Sequence, residues 1–228
     1  MIGVTENLRK IRDLLAKAAV DAGRSAEAVQ LLAVSKKQPL SSVIEAAAAG
    51  QRDFGENQVA EGIEKIATIA DDKLVWHFIG HLQTNKTRVV AEHFDWVHSV
   101  DRLKTARRLS DQRPASLPEL NVCVQINVDN EPGKSGVTID DTPDIVKEIL
   151  ELPRLHLRGL MCLPAIRDDF DDQRKPFRQL SCLANQLRAS GTPIDTLSMG
   201  MSADFRAAIF EGSTMVRLGT AIFGARTK

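Results

Sequence analysis

The strongest constraint on the fold of this chain is a regular alternation of short apolar runs with segments of helical periodicity. The apolar runs begin near residues 29, 52, 74, 94, 120, 155, 195 and 214. Even the shortest interval, from residue 195 to residue 214, leaves room for a crossover helix. Strands that alternate with helices in this way form a parallel sheet with the helices packed outside it.

Eight repeats within 228 residues predict an α/β fold with one closed (β/α)8 barrel, the TIM barrel, near the small end of its size range. An open doubly wound sheet is the alternative, but it usually carries a glycine-rich turn after its first strand. Residues 35–39, SKKQP, follow the first predicted strand here and contain no glycine. An amphipathic segment before that strand predicts an extra N-terminal helix that ends near Gly23. No linker interrupts the pattern, so residues 1–228 are predicted to form a single domain.

The composition limits the classes of function. The 30 Lys and Arg residues balance 30 Asp and Glu residues, so we expect no nucleic-acid partner and no charge-driven membrane binding. The three cysteines are widely spaced, which predicts neither a disulfide framework nor a metal site. The first ten residues lack the apolar run of a secretory signal, and no stretch is apolar enough for a membrane span. We therefore expect a cytoplasmic protein.

The polar residues at the ends of the predicted strands indicate where function resides. In a parallel barrel, binding and active sites lie at the C-terminal ends of the strands. Strands 1, 2, 7 and 8 place candidate residues there, namely Lys36, Asn57, Ser198, Gly200, Ser202, Arg217, Gly219 and Thr220. These positions are predicted to share one face of the barrel.

The loops after strands 7 and 8 have the composition of a phosphate site. This fold often holds phosphate between these two loops, because unpaired N–H groups and a helix dipole favour an anion there. Ser202 is the predicted N-cap of a following helix, and Gly200 lets the backbone approach a ligand closely. Gly219 and Thr220 form a second small, polar pair. An ordinary turn and cap would use the same residue types, but the presence of both loops favours a phosphate group.

Lys36 and Arg217 indicate which phosphorylated compound binds. Partial burial of Lys36 at the barrel mouth would favour a neutral amine that forms a Schiff base with an aldehyde, whereas a solvated loop lysine is the alternative. A phosphate site and such a lysine on one face predict pyridoxal 5'-phosphate, or PLP. An inward-pointing Arg217 would contact the pyridine nitrogen and keep it unprotonated, because a guanidinium stays charged. The alternative for Arg217 is an ion pair with Asp204 or Glu211.

Longer motifs resemble the pyridoxal phosphate homeostasis protein family. They are LAVSK at residues 32–36, FGENQ at 54–58, WHFIGHLQTNK at 76–86, GLM at 159–161, SMGMSADF at 198–205 and VRLGTAIFG at 216–224. The resemblance covers nearly the whole chain in order. It implies a single barrel like the N-terminal cofactor domain of alanine racemase, without the second domain of that enzyme.

The resemblance also implies residue roles and a function. Lys36 would form the Schiff base, Asn57 would lie close to the cofactor, and Arg217 would lie near the ring nitrogen. The phosphate would lie against Ser198, Gly200, Ser202, Gly219 and Thr220. The implied function is intracellular PLP homeostasis, in which the protein buffers PLP or delivers it to PLP-dependent apo-enzymes, with no catalytic residue. A monomer or weak homodimer is expected.

Two enzymatic functions are the alternatives. An amino-acid racemase or decarboxylase on the same barrel would also bind PLP, but racemisation needs a second base, which a tyrosine of the missing domain supplies in the racemase that this chain resembles. The sequence contains no Tyr, so a His, Cys162 or a partner chain would have to supply that base. A phosphosugar-type barrel enzyme would instead use Lys36 directly on a carbonyl substrate.

Several other polar residues have simpler interpretations. Residues 133–135, GKS, end like a P-loop, but Val128 occupies the position of its first glycine. Lys134 is therefore interpreted as a solvated loop lysine on the same face as Lys36. Cys162 is expected to be buried and inert, His77 to serve in packing or hydrogen bonding, and Glu56 to lie at a helix N-terminus.

Overall fold

Eight parallel strands close into a barrel in the order of the sequence. This computed structural model describes residues 3–224, so the first two and last four residues of the predicted domain lie outside it. The strands are β1 Gln30–Val34, β2 Asp53–Glu56, β3 Val75–Phe78, β4 Trp96–Val100, β5 Leu120–Ile126, β6 Leu155–Cys162, β7 Thr196–Ser198 and β8 Met215–Leu218. The barrel confirms the predicted fold, and each strand begins within two residues of its expected start.

Helices connect the strands and cover the barrel. They are α1 Val4–Asp21, α2 Leu40–Ala48, α3 Val59–Ile69, α4 Thr87–His93, α5 Leu103–Gln112, α6 Thr142–Leu150, α7 Phe170–Ala189, α8 Phe205–Phe210 and α9 Thr220–Phe223. The short 3-10 helix Thr84–Lys86 precedes α4. Within residues 3–224, no helix is both long enough and apolar enough to cross a bilayer.

Helix α1 is the predicted extra N-terminal helix. It packs against α2, α8 and α9, where β8 pairs with β1 and closes the barrel. Its apolar side is buried, including Leu8 and Leu15. The Asn7 side-chain amide donates a hydrogen bond of 2.9 Å to the carbonyl of Ile222 in α9. The helix therefore ties the first residues of the chain to the last repeat of the barrel.

The strands separate the core between sheet and helices from the inside of the barrel. Side chains alternate between the faces of a strand, so Trp76 and Phe78 join the large core between sheet and helices. Val75, on the opposite face of β3, packs with Trp96, Cys123 and Met161 in a small separate cluster inside the barrel. Branched aliphatic residues usually dominate the inside of this fold. The small apolar cluster here leaves space for buried polar side chains, which form the floor of the site described below.

Candidate functional site

A cavity of about 560 Å³ opens at the C-terminal ends of the strands. This volume lies within the range typical of small-molecule sites. The cavity is lined by six of the predicted residues, namely Lys36, Asn57, Ser202, Arg217, Gly219 and Thr220. Residues from the first and last thirds of the chain meet there because β8 pairs with β1.

Ser198 and Gly200 lie beneath the cavity instead of lining it. Ser198 is the last residue of β7, and its side chain is fully buried. Gly200 has a left-handed φ of +98°, and a Cβ atom there would lie 2.7 Å from the Cβ of Ala208. This glycine therefore lets the loop turn tightly against α8. The assignment of both residues to the phosphate stays a prediction.

The loop after β7 starts its helix later than the sequence suggests. Ser202 is exposed, and α8 begins at Phe205 with Asp204 in the N-cap position. The Asp204 carboxylate accepts a hydrogen bond of 2.6 Å from the backbone N–H of Met201. That bond closes a turn before the helix, so the prediction of Ser202 as the N-cap is wrong. Ser202 instead lines the cavity, as Thr220 does.

Lys36 follows β1 directly and is half-buried at the cavity wall. The next residue, Lys37, has a left-handed φ of +57°, a conformation that costs free energy for a residue other than glycine. Its backbone N–H donates to Oε1 of Glu61 over 2.5 Å. This bond to α3 holds the turn and thereby fixes the direction in which the chain leaves Lys36.

A buried ion pair between Lys65 and Glu56 contacts Ser35, the residue before Lys36. The Lys65 ammonium donates to Oε1 of Glu56 over 2.8 Å and to the carbonyl of Ser35 over 2.7 Å. The Ser35 hydroxyl donates to the same carboxylate over 2.6 Å. Glu56 is fully buried, and this burial raises the pKa of its carboxyl although Lys65 and Ser35 lower it. The expectation that Glu56 lies at a helix N-terminus is therefore wrong, since it belongs to β2 and faces α3.

Arg217 lines the cavity from β8 and is almost completely buried. Its guanidinium donates to the carbonyl and the hydroxyl of Ser198 and to the carbonyl of Cys162. Burial lowers the pKa of this guanidinium from its ordinary value. Neither ion pair considered from the sequence forms within residues 3–224, because Asp204 caps the Met201 turn and Glu211 accepts from Arg174 and Arg178.

The sequence analysis missed a set of polar residues below Arg217. His77 on β3 and His98 on β4 are fully buried, and their rings lie 2.9 Å apart between Nδ1 of His77 and Nε2 of His98. His98 also contacts the Ser198 hydroxyl over 2.8 Å, and His77 contacts Asp53 over 3.1 Å. These bonds agree with the expectation that His77 serves in packing or hydrogen bonding, but its partners were not predicted. The strand alternation places both histidines inside the barrel, and that pattern was the available signal.

Asn57 carries a buried acceptor with no partner. Its Oδ1 atom forms no hydrogen bond within residues 3–224, and the side chain lines the cavity. Leaving a buried polar atom unpaired costs roughly 1–3 kcal/mol, so the site is suited to a ligand that donates there. Together with the amine of Lys36 and the Arg217 cation, this residue set fits a PLP molecule. Within residues 3–224, no three His, Cys, Asp or Glu side chains are placed to bind a metal ion.

Gly80 fixes the position of Asn57. A Cβ atom at residue 80 would lie 2.2 Å from the backbone carbonyl oxygen of Asn57. Gly80→Ala is therefore expected to displace the loop after β2, to destabilise the fold by about 1–3 kcal/mol and to weaken binding in the cavity. Urea unfolding and ligand titration measure the two effects. Gly55→Ala is the matched control, because its Cβ would meet side-chain atoms and no backbone, namely the tip of Ile79 at 3.2 Å and Leu32 at 3.4 Å. Equal effects of both substitutions would contradict this account of Gly80.

Two further residues near the cavity have clear environments. Cys162 is fully buried, and burial raises the pKa of its thiol to about 12, so the group stays protonated and unreactive. Lys134 is exposed at the cavity rim and forms an ion pair with Glu131. These placements agree with the interpretation of each residue from the sequence.

Known proteins match this chain over nearly its whole length. The family model described as "Alanine racemase, N-terminal domain" matches residues 5–227. The pyridoxal phosphate homeostasis protein of Escherichia coli K12 is 52% identical over 229 residues, which cover 99% of this chain and 98% of that protein. The pyridoxal phosphate homeostasis protein of Pseudomonas aeruginosa is 53% identical over 226 residues, covering 99% of this chain and 97% of that protein.

Solved structures agree with the barrel. PipY of Synechococcus elongatus, solved with PLP bound, is 36% identical, with a TM-score of 0.84 over 97% of this chain and 100% of that chain. Alanine racemase of Corynebacterium glutamicum is 16% identical, with a TM-score of 0.70 over 94% of this chain and 61% of that chain. At that identity the racemase shares the fold alone.

Proposed function

Because the chain belongs to the pyridoxal phosphate homeostasis protein family, we propose that it binds PLP in the barrel cavity and maintains the intracellular supply of this cofactor. The protein acts as a non-catalytic carrier that buffers PLP or delivers it. The observation that carries this proposal is the meeting of Lys36, Arg217 and Thr220 in one cavity. These residues supply an amine, a cation and a hydroxyl to a single bound molecule.

Each residue of the cavity has a proposed role. The Lys36 amine attacks the aldehyde carbon of PLP and, with loss of water, holds the cofactor covalently. Asn57 accepts a hydrogen bond from the cofactor with its unpaired Oδ1 atom. Ser202, Gly219 and Thr220 hold the phosphate group, where small residues admit the anion and hydroxyls donate to it. When bound, PLP would supply its aldehyde to Lys36, its phosphate to the loops after β7 and β8, and a donor to Asn57.

Arg217 would limit the chemistry that bound PLP supplies. A guanidinium donates hydrogen bonds but does not accept a proton from the pyridine ring. Next to Arg217 the ring nitrogen would stay unprotonated, which would make the cofactor a weaker electron sink. A racemase would also need a second base on the opposite side of the substrate. The chain has no Tyr for that role, and the Cys162 thiol is buried and protonated. A carrier is thus favoured over a racemase or decarboxylase.

Absorbance spectroscopy tests the proposal directly. Purified protein mixed with PLP is expected to turn yellow and to retain the cofactor through gel filtration. A protein that stays colourless and retains no PLP would contradict the proposal and favour the phosphosugar enzyme. Turnover of amino acids by the loaded protein, lost in Lys36→Ala, would instead establish an enzyme.

The phosphate assignment predicts a selective loss of affinity. Ser202→Ala combined with Thr220→Ala removes two hydroxyls at the cavity rim, both on exposed residues. A hydrogen bond to a charged group contributes about 1.5–3 kcal/mol, so we expect the affinity for PLP to fall at least about tenfold. The affinity for pyridoxal, which lacks the phosphate, is expected to stay unchanged. An equal loss for both compounds would contradict the assignment.

The setting of this function is also proposed. We place the protein in the cytoplasm, as one domain over residues 1–228 and as a monomer or weak homodimer that passes PLP to apo-enzymes. The three free cysteines and the match over residues 5–227 support the compartment and the domain. Cell fractionation, light scattering and transfer of PLP to an apo-enzyme across a dialysis membrane test the compartment, the assembly and the need for contact.

A further inference from the structure

The buried polar residues under the cavity connect Arg217 with the opposite end of the barrel. We infer that a directional hydrogen-bond chain starts at Arg217, ends at Asp53 and positions the Arg217 guanidinium toward the bound cofactor. The members between these ends are Ser198, His98 and His77. The inference deepens the proposed function, and it assigns Ser198 to this chain instead of to the phosphate group.

The chain is continuous and enclosed. Arg217 Nη1 lies 2.7 Å from Oγ of Ser198, and this oxygen lies 2.8 Å from Nδ1 of His98. Nε2 of His98 lies 2.9 Å from Nδ1 of His77, and Nε2 of His77 lies 3.1 Å from Oδ1 of Asp53. The three middle members are fully buried, whereas Arg217 meets the cavity and Asp53 reaches the N-terminal end of the barrel at the start of β2.

Asp53 sets the direction of the chain at one end. Burial alone would raise the pKa of Asp53, but hydrogen bonds from His77 and Gln30 bring it below its ordinary value. The carboxylate is therefore ionised and only accepts hydrogen bonds. Consequently Nε2 of His77 must carry a proton. When His77 is neutral, its Nδ1 atom must then accept from His98.

Arg217 sets the direction at the other end, since a guanidinium only donates. Burial, with the charge of Arg217, holds the pKa of His98 well below its ordinary value, so this ring is neutral and has one proton. With that proton on Nε2, His98 donates to His77, and its Nδ1 atom accepts from the Ser198 hydroxyl. The Ser198 oxygen then accepts from Arg217. Every group in the chain has a partner of the correct kind.

The opposite direction leaves a group without a partner. A cationic His77 would donate to His98, which would move the single His98 proton to Nδ1 and direct it at Ser198. The Ser198 oxygen would then receive two hydrogen bonds, and its own proton would find no recorded acceptor among residues 3–224. An unmade hydrogen bond of a buried hydroxyl is costly. The direction from Arg217 to Asp53 is therefore the stable one.

Aromatic and charged side chains surround the two histidines of the hydrogen-bond chain. The His77 ring stacks on Trp96 with 5.2 Å between the ring centres, and the Arg158 guanidinium lies 4.7 Å from the centre of the Trp96 ring. Arg158 is itself paired with Asp195 at 2.7 Å. The charged groups nearest the two histidines are thus Asp53 and Arg217, with Arg158 behind Trp96. Of these three groups, Asp53 alone is an anion, and it contacts His77 directly.

The direction of the chain is measurable without cofactor. Long-range proton–nitrogen NMR of 15N-histidine-labelled protein distinguishes a proton on Nε2 from a proton on Nδ1 of each ring. We expect the Nε2–H form for both His77 and His98 at neutral pH. In Asp53→Asn the amide can donate to His77, so the fraction of this form is expected to fall at both rings. Asp13→Asn, which changes an exposed carboxylate of α1, is the control and is expected to leave both rings unchanged.

The role of Ser198 is measurable with two ligands. Ser198→Ala interrupts the chain and removes one hydrogen bond from Arg217, so we expect the affinities for PLP and for pyridoxal to fall by the same factor, about two- to tenfold. The combined Ser202 and Thr220 variant, by contrast, should lose affinity for PLP alone. A loss in Ser198→Ala that is confined to PLP would return Ser198 to the phosphate site and overturn the assignment.

The two experiments separate this inference from the proposed function. A proton on Nδ1 of His98 in the unsubstituted protein would overturn the direction of the chain, and this measurement requires no variant to fold. Unchanged ring protonation in a folded Asp53→Asn protein would overturn the role of Asp53. A protein that binds neither ligand would refute the proposed function, while the NMR result would still establish or refute the chain.

Discussion

Replacement of Lys36 by Ala is expected to abolish covalent attachment of PLP. The amine of this half-buried residue is the proposed partner of the aldehyde, and alanine offers no nucleophile in its place. Borohydride reduction of the loaded protein should leave about one cofactor per chain on Lys36, and none in Lys36→Ala. Mass analysis of the reduced protein and of its peptides measures the amount and the position of the adduct.

Lys37→Asn is the matched control for this substitution. It removes the neighbouring ammonium, and asparagine tolerates the left-handed backbone that residue 37 adopts. The bond from the backbone N–H of this residue to Glu61 is retained. We expect the control to carry the adduct in full. An adduct that maps to Lys134, or that persists in Lys36→Ala, would refute the role of Lys36 while leaving the barrel and its cavity intact.

Among the substitutions proposed for this protein, Lys65→Met is expected to lower the free energy of unfolding most. The substitution leaves the fully buried Glu56 carboxylate without its cation, and removal of one partner of a buried pair costs about 3–5 kcal/mol. It also removes the donor to the Ser35 carbonyl, next to Lys36. We therefore expect weaker PLP binding in addition to the lower free energy of unfolding. Urea unfolding and PLP titration measure the two losses.

The loss in Lys65→Met should depend on pH with a defined sign. Burial already raises the pKa of Glu56, and removal of the cation raises it further. The folded variant therefore keeps a proton on Glu56 at pH values where the unfolded chain has released it. Stability then decreases as the pH rises from the ordinary glutamate pKa toward the raised folded value. The deficit relative to the unsubstituted protein is consequently smallest in acid and grows toward neutral pH.

Two variants control this experiment. Lys10→Met makes the same change in an exposed pair with Glu6 on α1, where only a small loss of stability is expected because solvent screens the pair. Lys65→Met combined with Glu56→Gln removes the unpaired charge. The double variant should therefore recover part of the lost stability, and its stability deficit should lose most of its pH dependence. A deficit in Lys65→Met that equals the Lys10→Met value, or that does not vary with pH, would disprove the buried pair.

The barrel was predictable because each of its repeats is encoded locally. The apolar runs fix the strands, and the intervening periodicity fixes the helices, so β1 to β8 follow from patterns a few residues long. The carboxyl ends of parallel strands share one side of a barrel. Lys36 and Arg217 could therefore be assigned to the same face without knowledge of any contact between them.

Details within the loops and the interior were less predictable. The start of α8 was misplaced because Ser202 is a residue type that caps helices, whereas the turn that Asp204 closes with the Met201 N–H delays the helix to Phe205. The burial of Glu56 escaped notice because its cation, Lys65, lies on the next helix. Carboxylates near a strand end are usually solvated, so local pattern favoured the wrong environment.

The sequence by itself determined the number of strands, the face of the barrel that carries the cavity and the family to which the chain belongs. These properties depend on local periodicity and on motifs that are continuous in the chain. Only the tertiary structure decided that Ser198 bonds to His98, one hundred residues away, and that Asn57 keeps an unpaired oxygen. Hydrogen bonds require an approach within about 3 Å, and closure of the barrel alone brings strands so distant in sequence to that separation.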